Sequence, residues 1–105
     1  MANYLLAYHG GAMPETEEEG ARVMAAWGEW MAAVGTAMVD ARNPVGQAAT
    51  VASDGSRDAD GGANPVTGYT VISADSLDAA VALVAGGPIL AAGGSVEVCE
   101  TFDVM

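Results

Sequence analysis

Residues 66–102 read VTGYTVISADSLDAAVALVAGGPILAAGGSVEVCETF, and this stretch decides the fold. Gly68 to Ser73 is β-branched and alternating, which predicts a strand. Asp75 and Asp78 open a helix that runs to about Ala85, and Gly86, Gly87 and Pro88 end it. Ser95 to Phe102 alternates again, with Val96, Val98, Glu100 and Phe102 on one face of a last strand. The first 42 residues repeat the plan of strand, helix, strand. Two such units in 105 residues predict a single α+β domain, 1–105, with an antiparallel sheet.

The first unit supplies more detail. Asn3 to His9 is a strand with Tyr4, Leu6 and Tyr8 on one face and Leu5, Ala7 and His9 on the other. Gly10 and Gly11 break it. Thr16 and Glu19 match a capping box at the start of a helix. Glu17, Glu18 and Glu19 sit where the helix dipole favours negative charge. Val23, Trp27, Trp30, Met31 and Val34 form an apolar stripe. The two tryptophans and Met24, Met31 and Met38 are expected in the packing. Gly28 is expected to let the helix approach the sheet, and Gly35 to stop it. Ala37 to Arg42 is a second strand, ended by Asn43 and Pro44. Thr50 to Ala52 is a short strand, and the turn-rich 54–65 an exposed acidic loop. Right-handed crossovers place the first and third main strands in the middle of the sheet, with both helices on one face. The other face is left to a partner or a cleft.

Composition excludes several functions. The chain has 3 arginines, no lysine and 14 acidic residues, a formal net charge of -11. Nucleic-acid binding needs cations to displace phosphate counterions, and an anionic membrane repels such a chain. The sole cysteine, Cys99, has no internal disulfide partner, which fits a reducing compartment. MANYLLAYHGG lacks the basic region of a signal peptide, and no apolar run is long enough to span a bilayer. A cytoplasmic location is therefore expected.

The segments YLLAYHG (4–10), MAAWGEWMAAVG (24–35), GYTVISADSLDAAVALV (68–84) and GGPILAAGGSVEVCET (86–101) together resemble the YCII-related (YciI-like, DGPF-domain) proteins. The resemblance implies a ferredoxin-like β-α-β-β-α-β domain that forms a dimeric α+β barrel, two sheets packed face to face in a homodimer. It also implies enzymatic roles proposed for some members, including hydrolase or dehydrohalogenase-like action on chlorinated aromatics. The chain departs from the family in two places. ANPVTGY stands where a DGPF motif would be. AAWGEW occupies the stretch where some members carry a helix histidine thought to pair with an aspartate, so that dyad is not carried over.

His9 is the only histidine, and acid–base work near neutral pH falls on it first. The topology brings the ends of the first two strands and the starts of the last two to one rim. There His9 is the candidate catalytic base or hydrogen-bond donor. Arg42 is the candidate anchor for an anionic group, with Asp40 beside it, and Tyr69 and Asn64 orient a ligand. The competing assignment makes His9 a satisfied strand-end residue and pairs Arg42 with Asp40 or a helix acid. Asp54, Ser56, Asp58 and Asp60 alternate like a calcium loop, but Ala59 and Pro65 stand where Gly and Glu are required. One histidine and one cysteine are too few for a zinc site. Cys99 as a nucleophile would need a base at hand and a lowered pKa, which a nearby Glu97 or Glu100 would instead raise, so Cys99 is expected to be structural. No cofactor or metal is expected. Two functions follow: a small-molecule-binding protein or enzyme with a pocket near His9, or a non-catalytic dimeric interaction or regulatory module.

Overall fold

The computed structural model describes residues 2–58 and 64–103. Strand β1 (Ala2–His9) leads to helix α1 (Glu17–Val34), a 3-10 turn (Gly35–Ala37) and strand β2 (Met38–Pro44). A small hairpin of β3 (Thr50–Val51) and β4 (Arg57–Asp58) follows. Strand β5 (Val66–Ala74), helices α2 (Leu77–Val84) and α3 (Pro88–Ala91), and strand β6 (Ser95–Glu100) complete the chain. The main sheet has four strands in the order β2-β5-β1-β6, and all three pairings are antiparallel. It is open, with β2 and β6 at its edges, so the single chain closes no barrel.

The core occupies one face of this sheet. Tyr4, Leu6 and Tyr8 of β1 and Ile72 and Ala74 of β5 pack against Trp27, Trp30 and Val34 of α1 and Ala80 and Val84 of α2. Both helices thus cover the same side, as the alternation of β1 requires. Leu5, Tyr69, Val71 and Ser73 lie on the opposite face, where no helix among the described residues packs.

The caps explain where the helices begin. Thr16 Oγ1 accepts from the Glu19 amide at 3.0 Å. Glu19 reaches back to the Glu15 amide at 3.0 Å, one residue beyond the usual capping-box partner. Helix α2 is capped by Ser76, whose Oγ accepts from the Ala79 amide at 3.1 Å, and not by Asp75. Pro88 was expected only to end a helix. It also begins one, α3, because its fixed φ suits the first helical position.

Two packing expectations fail. A Cβ on Gly28 would meet nothing within 4 Å, so this glycine faces open space and not the sheet. Met24 is 65% exposed, whereas Met31 and Met38 do pack on the core. Thr50–Val51 finds its partner within the acidic segment, whose Asp54 turns the chain by accepting from the Ser56 amide and hydroxyl. Asp60 lies outside the described residues.

Candidate functional site

A cavity of about 430 Å3 opens at the end of β1, between the sheet and helices α1 and α3. Gly10 and Gly11 carry the chain off β1 with φ of 70° and 91°, a conformation that costs glycine little. The β1–β5 register shifts between Tyr8 and His9, and Thr67 occupies the bulge. Its hydroxyl donates toward the carbonyls of Tyr8 and Gly10 at 3.2 and 3.3 Å, which fastens the rim.

The wall is mainly apolar, from Met13, Val23, Trp27, Pro44, Val45 and Ile89. Tyr8 and Trp27 meet edge to face at 5.4 Å, and Trp27 meets Trp30 likewise at 5.8 Å. The Arg42 guanidinium lies over the Trp27 ring, 4.4 Å from its centroid. Tyr8 donates its hydroxyl to Thr70 Oγ1 at 2.6 Å. Burial pushes the Tyr8 phenol above its ordinary value, while the Thr70 bond and the Arg42 charge pull it back down. The phenol is therefore a hydrogen-bond donor at neutral pH.

The structure divides the five residues singled out from the sequence. Strand ends do converge at one rim, with His9 opposite Ser95 and Val66 and with Asn43 opposite Tyr69. Their side chains do not converge. Arg42 turns to the helix side, whereas His9 and Tyr69 lie on the opposite face of the sheet. Asp40 accepts from Asn43 Nδ2 at 3.1 Å and does not pair with Arg42. Asn64 meets His9 through its backbone carbonyl and not through its amide.

His9 is buried in a setting of its own. Nδ1 lies 3.1 Å from the Asn64 carbonyl and 3.2 Å from the Pro65 carbonyl, so it carries the proton and donates. Nε2 is buried without a hydrogen bond; Glu97 Oε1 lies 3.3 Å away, within ion-pair range but out of hydrogen-bonding alignment. Glu97 is 68% exposed, so this pairing contributes little. His9 holds the segment before β5 onto the sheet and has no part in the cavity wall. His9→Ala is expected to lower stability by about 1–2 kcal/mol, the worth of these bonds, in urea denaturation. Cavity binding should be unchanged in the same variant, and a loss would return His9 to the site.

Cys99 is half-buried on the face it shares with Glu97, and burial first, then Glu97, raises its thiol pKa. A raised thiol is a poor nucleophile. Among the described residues no group of three or more His, Cys, Asp or Glu could hold a metal ion. No helix among them is long and apolar enough to cross a membrane.

The alternation of β1 already separated Tyr8 from His9. What the sequence did not show was Arg42 reaching Trp27, or α3 closing the cavity. No family model, curated protein or solved structure matches the chain.

Proposed function

We propose that this chain is a ferredoxin-like, YCII-related protein that pairs with a second copy through its open sheet face and binds a small apolar molecule in the cavity beside Trp27. The observation that carries this reading is the cavity itself, about 430 Å3 and walled mainly by apolar side chains. Ligand sites typically fall in the range of about 300–1,000 Å3 with such linings. Among the described residues, the ionisable side chains of the wall are Arg42 and Tyr8. Arg42 is a donor at neutral pH, and the protonated Tyr8 gives its hydroxyl proton to Thr70, so neither abstracts a proton from a ligand. This favours binding over acid–base turnover.

The shape of the chain supports the pairing. It measures 43 × 42 × 18 Å, the thickness of one sheet and one helix layer. Its radius of gyration is 15.1 Å. A compact domain of this length would have about 13 Å. Stacking a second copy on the flat face would bury Leu5 and Val71, which are only half-covered in one chain.

Fragment screening by ligand-observed NMR tests the cavity. Apolar fragments should bind the wild-type chain and lose binding in Ala92→Trp, whose indole would fill the cavity. Failure of every fragment to bind, or equal binding to a folded Ala92→Trp variant, would refute the cavity. Sedimentation velocity tests the pairing, with twice the chain mass expected for wild type and the single mass for Val71→Asp.

A further inference from the structure

We infer that the cavity takes a monocarboxylate with a flat apolar body, and that Arg42 is its counter-ion. This rests on the cavity proposed above and names the class of its occupant.

The argument starts from the state of Arg42. Its guanidinium carbon lies over the Trp27 ring, 4.4 Å from the centroid, a contact that takes up none of its N–H donors in hydrogen bonds. Its Nη1 donates to Met24 Sδ at 4.0 Å, a weak acceptor. Among the described residues no carboxylate lies within ion-pair distance of it. Arg22 and Arg57 have none either, but of the three arginines only Arg42 lines this cavity. Asp40, two residues away, is held by Asn43 instead. A cation at the wall of an apolar cavity, with no carboxylate beside it among the described residues, is the arrangement that recognises an external one.

The surroundings limit the charge and shape of the ligand. Glu17, Glu18 and Glu19 fill the first turn of α1, and the net charge is -11. One guanidinium against that field suits a single negative charge better than the two of a phosphate monoester. Tyr8 commits its proton to Thr70, and Thr67 its own to backbone carbonyls, so neither hydroxyl has a proton left for an anion, and Arg42 is the one cation among the described residues of the wall. Trp27, Tyr8 and Ile89 offer the remainder of the ligand flat or apolar contact.

Isothermal titration calorimetry of the full chain with 1-naphthoate, 1-naphthamide and 1-naphthyl phosphate tests the inference. Naphthoate should bind about tenfold or more tightly than the isosteric amide, the usual worth of a charge-assisted hydrogen bond. In Arg42→Gln the two should bind alike, with the amide little changed, and Arg42→Lys should restore part of the preference. Equal affinities for acid and amide in the wild type would overturn the anion while leaving the cavity intact. Tighter binding of the phosphate would overturn the single charge. No binding of any of the three would overturn the inference, and the fragment screen then shows whether the cavity falls with it. The wild-type comparison decides the matter even if Arg42→Gln proves unstable.

Discussion

Replacing Trp30 by alanine is expected to remove about 3–5 kcal/mol of stability, the usual cost of emptying a buried aromatic site. Trp30 is 6% exposed and packs edge to face with Trp27. Its indole nitrogen donates to the Leu83 carbonyl at 2.9 Å. One side chain therefore joins α1 to α2 as well as filling the layer between helices and sheet. A domain of this size has a total stability of about 5–15 kcal/mol, so the truncation would leave it close to unfolding. Trp30→Phe separates the two contributions. It keeps most of the volume and removes the N–H, leaving the Leu83 carbonyl without its partner, and should cost about 1–3 kcal/mol. Urea denaturation of the three proteins measures both. A loss below about 1 kcal/mol for Trp30→Ala would mean that the two helices are not held as described.

Gly94→Ala is the second large effect. A Cβ at Gly94 would stand 2.7 Å from the His9 carbonyl oxygen, 2.8 Å from Ile89 Cγ1 and 3.0 Å from the Gly11 amide nitrogen. Two of these neighbours are backbone atoms, which cannot swing aside as a side chain can. The strand end must move, at a cost of about 1–3 kcal/mol. Gly11 and Ile89 both line the cavity, so the displacement also reaches the candidate site. Fragments that bind the wild type should bind this variant more weakly, even where it remains folded. Thermal unfolding and the fragment screen, run side by side, check the two halves. An unchanged melting temperature would show that the close approach of β6 to the end of β1 is not a constraint.

The sheet was legible because period-two alternation in β1, β5 and β6 is strong and each strand is bounded by glycine, proline or a capping residue. The apolar stripe of α1 marked Trp27 and Trp30 correctly as buried. The site was legible only in part. Arg42 is in the cavity wall, but the residues that meet at the rim around His9 point their side chains to different faces of the sheet. Strand order places residues at a rim, whereas the pleat decides the face, and His9 and Arg42 fall on different ones. The lone histidine attracted a catalytic role from its chemistry, although its neighbours are the two backbone carbonyls that it fastens. Helix α3 was hidden because the glycines before Pro88 mark a stop as readily as a start.

Tyr8 and His9 are consecutive, yet one faces the cavity and the other the far side of the sheet. Their separation is a matter of parity. Deleting or inserting one residue within β1 would exchange odd positions for even ones. The imidazole would then enter the basin that Arg42 overlooks, and the phenol would leave it. One slip of that strand would set a potential base where the cavity wall now carries a phenol.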